Sequence, residues 1–210
     1  MFLTKEEIER NKDHFKNLVK QIKRENVKFD ELFDALEKSD FYYAPASSKY
    51  HGNFEGGLVE HCLCVYYNLV DLVKMKQITT IDNDSILIAA LFHDISKTNY
   101  YEKTYKNKKV YKENGSKKDA GGAFDWEVEE GYAVKDIDNR FIYGSHEQTA
   151  EYIISKYIPL TREESVAILN HMGGMSNDSV KDIIPITYGK YPLAVLLHLA
   201  DMLSVYIDRV

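Results

Sequence analysis

Apolar residues recur at helical spacing along most of the chain. Thr4-Lys-Glu-Glu7 forms a capping box, and Ile8, Phe15, Leu18, Val19 and Ile22 follow on one face, which predicts a first helix. A second, short helix is predicted over 29–38. The stretch 40–57, with Pro45, Ser47, Ser48 and Gly52, is turn-rich. Gly56 and Gly57 then open a long helix to about Lys76, with Leu58, Cys62, Val65, Leu69, Leu72 and Val73 on its apolar side. Asp82 or Asp84 caps the next one. Its run Ile86-Leu-Ile-Ala-Ala-Leu-Phe92 is apolar all round, which implies a buried central helix ending in His93-Asp94. Helical pattern resumes at His146. Thr161-Arg-Glu-Glu164, a second capping box, opens a helix that reaches His171-Met172 and stops at Gly173-Gly174. Pro192 suits the first turn of a last helix running through Leu196, Leu199 and Met202 towards Tyr206.

The stretch 99–145 breaks this pattern and is predicted to be an insertion. Lys103, Lys106, Lys108, Lys109, Lys112, Lys117 and Lys118 crowd its first half, which suggests a solvated loop. Phe124, Trp126, Val128, Tyr132, Val134, Phe141 and Tyr143 in its second half suggest short strands in a hairpin. No internal repeat or low-complexity tract is present.

Composition narrows the class. With 210 residues, one large domain with a real core is expected. The 27 Lys+Arg against 33 Asp+Glu give −6, which argues against a protein that coats nucleic acid. No apolar run of about 18 residues exists, so no membrane partner is expected. The segment MFLTKEEIER lacks a basic region followed by an apolar one, so no secretory leader is expected and the predicted compartment is cytoplasmic. Cys62 and Cys64, the only cysteines, point roughly 200° apart on a helix; they are expected to stay reduced and unbridged.

The candidate chemistry lies in five segments: Gly56-Gly-Leu-Val-Glu-His61, Leu91-Phe-His-Asp-Ile-Ser-Lys97, Tyr143-Gly-Ser-His146, Ile168-Leu-Asn-His171 and Leu196-Leu-His-Leu-Ala-Asp201. Each sets an imidazole or carboxylate beside apolar helix positions. Such a donor set suits iron, manganese, nickel, zinc or cobalt better than magnesium, which prefers oxygen alone. The order His, His-Asp, His, His, Asp resembles the HD-domain superfamily of metal-dependent phosphohydrolases. The Gly-Gly-Leu-Val-Glu-His61 segment resembles the HD domain attached to some bacterial 3′–5′ exoribonucleases. The two further histidines resemble small bacterial HD proteins that hydrolyse nucleotides at a two-metal centre. The resemblance covers roughly residues 50–205, interrupted by 99–145.

The resemblance implies one or two divalent transition-metal ions (Fe, Mn, Ni, Co or Zn). His61, His93, Asp94 and Asp201 would hold the first, and Asp94 would bridge to a second held by His146 and His171. Lys97, three residues after Asp94, would lie near the substrate phosphate, and Asp94 and Lys97 would be catalytic. His51 is a further candidate for substrate contact. His198 is expected to hydrogen-bond rather than ligate, and His14 is assigned no role. The expected fold class is all-α: an HD-domain helical bundle of about seven or more helices, with one inserted loop or small β-hairpin at about 99–145. The expected organisation is a single HD-type domain over 1–210, with N-terminal helices in 1–40, a metal-binding core in 50–98 and 146–205, and the insertion between. The expected function is phosphohydrolysis, with hydroxide generated at the metal attacking a nucleotide phosphoester or phosphoanhydride. The alternatives are a nuclease or phosphodiesterase acting on short oligonucleotides or cyclic nucleotides, and a non-catalytic HD-fold binding protein. The expected partner is a nucleotide or short oligonucleotide, and the sequence is compatible with a homo-oligomer.

Overall fold

The computed structural model describes residues 2–175 and 182–210; residues 176–181, within the predicted 146–205 core segment, lie outside the described residues. The helices are α1 (Lys5–Val19), α2 (Phe29–Glu37), α3 (Gly57–Met75), α4 (Asn83–Phe92), α5 (His146–Ser155), α6 (Arg162–Asn170), α7 (Ile184–Lys190) and α8 (Pro192–Leu203). The strands are β1 (Tyr101–Tyr111), β2 (Lys117–Asp119) and β3 (Gly122–Val134). Thr4 and Thr161 both form the predicted capping boxes, and Ser145 forms a third with Gln148 at the start of α5.

The core lies on two sides of α4, which is buried from Ser85 to Phe92. On one side Leu87, Leu91 and Phe92 meet Phe15, Phe41, Tyr42, Leu58 and Ile154. On the other, Ala89 and Ala90 meet Leu69, Leu193, Leu197 and Ala200. Full burial of each Leu or Phe contributes about 1.5–3 kcal/mol, and the small Ala89 and Ala90 let α8 approach closely. α3 spans both clusters and packs on α4 and α8.

The expectation of an all-α fold is overturned. The chain is 51% helix and 13% strand, so it is a mixed α/β protein, rich in helix. The strands form one antiparallel sheet in the order β1-β3-β2, with Tyr101 opposite Val134 and Tyr111 opposite Phe124. The lysine-rich segment expected to be a loop is itself an eleven-residue strand. Strands in the second half were expected to reach Tyr143, but β3 stops at Val134. Lysine is a poor strand former alone; cross-strand partners supply what it lacks. Lys108 meets Glu129 at 2.8 Å, Lys112 meets Glu127 at 2.5 Å, and Lys109 meets Asp119 at 2.6 Å. Phe124 packs against both Tyr111 and Trp126, and the Lys109 ammonium lies over the Phe124 and Trp126 rings.

Among the described residues no single helix is long and apolar enough to cross a membrane. Both cysteines are free thiols, as expected, Cys62 buried and Cys64 partly exposed.

Candidate metal centre

Each candidate ligand sits where an element begins, ends or is forced close to another. Gly56 adopts φ +82°, and a Cβ on Gly57 would stand 2.1 Å from the Gly52 carbonyl oxygen. Only glycine lets the loop carrying His51 press against the start of α3, one turn before His61. α4 is apolar throughout, so its polar groups come at its end: His93 is the C-cap and Asp94 follows in the bridge region, φ −107° and ψ 13°. A 3₁₀ turn, Ile95–Lys97, then folds Lys97 back over Asp94. His146 is the first residue of α5, His171 the C-cap of α6, and Asp201 lies on α8.

These six side chains converge. The two oxygens of Asp94 face different sets of neighbours. Oδ2 lies 3.4 Å from His61 Nε2, 3.5 Å from His93 Nε2 and 2.5 Å from Lys97 Nζ. Oδ1 lies 2.7 Å from His146 Nε2 and 3.6 Å from His171 Nε2, without the alignment of a hydrogen bond to either. Asp201 Oδ1 stands 3.3 Å from His61 Nε2.

The outer ring nitrogens settle which inner ones carry lone pairs. His93 Nδ1 is 2.9 Å from the Ala90 carbonyl and His171 Nδ1 is 2.7 Å from the Ile168 carbonyl. A carbonyl only accepts, so both Nδ1 atoms donate. His61 Nδ1 meets Ser204 Oγ at 3.1 Å, and that hydroxyl already donates to the Asp201 carbonyl at 2.8 Å. Ser204 therefore accepts from His61. In their neutral forms all three rings aim an Nε2 lone pair at the carboxylates of Asp94 and Asp201.

Protonation partly offsets this crowding when no ion is bound. Burial works against a charge on His61, but Asp201 and Asp94 outweigh it and lift its pKa. His171 behaves likewise, with Asp94 prevailing over burial. Burial pushes His93 down to about 3. Burial raises Asp94, but the Lys97 ammonium, helped by the surrounding imidazoles, holds it well below the usual carboxylate range. Asp201 is lowered as well, its burial outweighed by His61. Lys97 is raised, Asp94 prevailing over burial.

The buried groups could hold a metal ion. Three triads have donor atoms within 4.8 Å of one another: His61, His93 and Asp94; His93, His171 and Asp201; and Asp94, His146 and His171. Two donors about 2.1 Å from one ion stand about 3.0–3.4 Å apart, close to the spacing around His61. The Nε2 atoms of His146 and His171 and Oδ1 of Asp94 are buried without a hydrogen bond, a costly state that a cation relieves.

A cavity of about 710 Å³ opens onto this cluster, lined by Asp94, Lys97, His146, Asp201 and His51 among others. His51 is pushed down to about 4 by burial and by His61 and Lys97, and its Nε2 is buried without a partner. His198 donates to or accepts from no donor atom of the cluster; its Nδ1 bonds the His171 carbonyl at 2.6 Å. His14 lies against Tyr67, in none of the three triads. Sequence patterns passed over Ser204 and Ser96, whose Oγ bonds His146 Nδ1 at 2.7 Å. Both stand one turn from an aspartate or a histidine pair, a signal too common to single out. They also passed over the tyrosines and methionines of the cavity wall, which no motif marks. The chain matches no family model, no curated protein and no solved structure.

Proposed function

We propose that this chain is a metal-dependent phosphohydrolase of HD type, acting on a nucleotide phosphoester or phosphoanhydride. The observation that carries this reading is the division of Asp94: one oxygen turned to His61 and His93, the other to His146 and His171, at the edge of an open cavity. That division suits a carboxylate shared between two ions, one with His61, His93 and Asp201, the other with His146 and His171. Nitrogen-rich donors favour manganese, iron, nickel, cobalt or zinc. Divalent ions so placed supply Lewis acidity and lower the pKa of a bound water.

The chain's own residues do the rest. The Lys97 ammonium, at the cavity wall, sets a fixed positive charge where phosphoryl charge develops. His51 Nε2, buried and unpartnered, is free to hydrogen-bond a phosphoryl or leaving oxygen. Ser204 and the Ala90 and Ile168 carbonyls hold three rings in one tautomer and orientation. The sheet adds little support for the nuclease alternative, because Lys103, Lys108, Lys109 and Lys112 each meet a carboxylate. The test is phosphate release from nucleotides, dinucleotides and short RNA and DNA, with manganese, iron, nickel or cobalt and with chelator. Metal-dependent release that disappears in Asp94→Ala supports the reading; release from no compound with any metal overturns it.

A further inference from the structure

The cavity beside the cluster has an uneven wall. Its charged and imidazole groups are Asp94, His146 and Asp201 of the cluster together with Lys97, His51 and Glu147. Apart from Ser145, the remainder is aromatic or aliphatic, including Tyr50, Tyr101, Met172, Met202, Val205 and Tyr206. Among the described residues that line the cavity, Lys97 is the single lysine or arginine, and its ammonium already serves Asp94. The wall therefore offers fixed positive charge for one phosphoryl group and none for a second or third.

The sheet does not make up the deficit. Residues 101–134 carry seven lysines and seven carboxylates, a net charge of zero. Near the cavity Lys103 pairs with Glu55 and Glu130, and Lys106 donates to the Ser48 carbonyl. Farther along, Lys108, Lys109 and Lys112 each meet a carboxylate. A polyphosphate or an oligonucleotide would have to break these pairs and leave carboxylates facing its own charge. A volume of about 710 Å³ falls within the usual range for small-molecule sites, which are mostly apolar with a few placed polar groups.

Building on the phosphohydrolase reading, we propose that the substrate is a phosphate monoester of an aryl or nucleoside-sized alcohol. It bears one phosphate, which faces the cluster and Lys97, and its apolar body lies against the tyrosine and methionine wall. Water adds its oxygen to phosphorus and the ester P–O bond breaks. One water proton ends on the alcohol and the other stays with inorganic phosphate, with no change of oxidation state.

The experiment has a binding arm and a turnover arm. Calorimetry on manganese-loaded protein compares adenosine 5′-monophosphate, the matching di- and triphosphate, para-nitrophenyl phosphate, glycerol phosphate and inorganic phosphate. Phosphate release is followed on the same esters. The two aromatic monoesters should bind roughly tenfold or more tightly than glycerol phosphate or the triphosphate, and should be hydrolysed most efficiently. Which of the two is favoured separates a nucleoside from a simpler aryl body. Equal or tighter binding of the triphosphate overturns the proposal, and so does absence of binding by either aromatic monoester. Monoester binding in the expected order with no turnover overturns the hydrolase reading, and with it the bond cleavage, and leaves the preference for a one-phosphate aromatic ligand standing. Two exposed positions give a check that does not depend on a core residue. Tyr206→Ala should weaken adenosine monophosphate and leave inorganic phosphate unchanged. Tyr50→Arg, adding a second cation at the wall, should shift preference towards the triphosphate by about tenfold; no shift would show that cation count does not set the choice.

Discussion

The Nε2 atoms of His61 and His93 stand 3.2 Å apart, and both rings have already committed Nδ1 to another partner. Two neutral imidazoles so placed oppose lone pair to lone pair, with both rings fully buried. A proton on His61 relieves this in the metal-free protein; a metal ion relieves it better, because it also meets Asp94 and Asp201.

A first prediction follows from that crowding. Protein purified without chelator should carry one to two transition-metal ions per chain, and chelation should lower Tm. At a hundredfold excess of metal over Kd the native state should gain about 2.7 kcal/mol. Elemental analysis and a melting series with manganese, nickel and zinc check this. Absence of bound metal together with an unmoved Tm would refute it.

Ser204 is fully buried, and its hydroxyl fixes the His61 tautomer. Ser204→Ala should therefore weaken metal binding by about 10–100-fold while leaving the helical signal intact. Competition with a coloured chelator measures the affinity. His198→Ala, which removes a bond to the His171 carbonyl and a ring contact with Tyr188, should have the smaller effect on metal; a larger one would place His198 among the ligands.

Lys97→Ala should lower turnover by roughly 10²–10³-fold, by removing fixed charge near the reacting phosphoryl group. Metal content should hold or rise, because the ammonium 2.5 Å from Asp94 Oδ2 competes with an ion for that oxygen. Steady-state rates and metal content measured on the same preparation separate the two effects. Undiminished turnover would return Lys97 to a structural role.

Burial raises Cys64 to about 12, with Asp208 adding to the shift, and burial raises Tyr42 above its ordinary value. A folded state that keeps protons the unfolded chain has lost is destabilised as pH rises. The contribution is intact below the ordinary thiol value near 8.5 and the ordinary phenol value near 10, and is lost above them. Tm should thus fall on the alkaline side from about pH 8.5. At pH 8 the native protein should react with a thiol reagent far more slowly than the unfolded chain, which exposes both cysteines. Asp208→Asn should speed the native reaction at Cys64.

Arg24 reaches Glu164 with both terminal nitrogens, and Ser85 donates to the same fully buried carboxylate at 2.7 Å. Arg24→Ala leaves that charge unpaired and should cost about 3–5 kcal/mol, read from urea unfolding. Pairing Arg24→Met with Glu164→Gln should recover most of it.

Much of the helical frame was legible in the residues alone. The capping boxes at Thr4 and Thr161, the Gly56-Gly57 opening of α3 and the apolar run of α4 are local signals, resting on backbone hydrogen bonding and on which faces can meet water. So were the positions of His61, His93, Asp94, His146, His171 and Asp201 at helix ends and starts. What local pattern could not supply was the partner of each residue. The lysines of 103–112 suggested a loop because their carboxylates arrive from later in the chain, on β2 and β3; the antiparallel pairing brings Glu129 to Lys108, Glu127 to Lys112 and Asp119 to Lys109. The sheet is therefore a product of cross-strand contact rather than of propensity. Only the tertiary structure set Ser204 behind His61, divided the oxygens of Asp94 between two pairs of histidines, and brought Tyr50, Tyr101 and Tyr206 from three distant segments to one wall. Helix caps and apolar faces act within a few residues, whereas tautomer, charge balance and cavity shape depend on groups that meet only when the chain has folded.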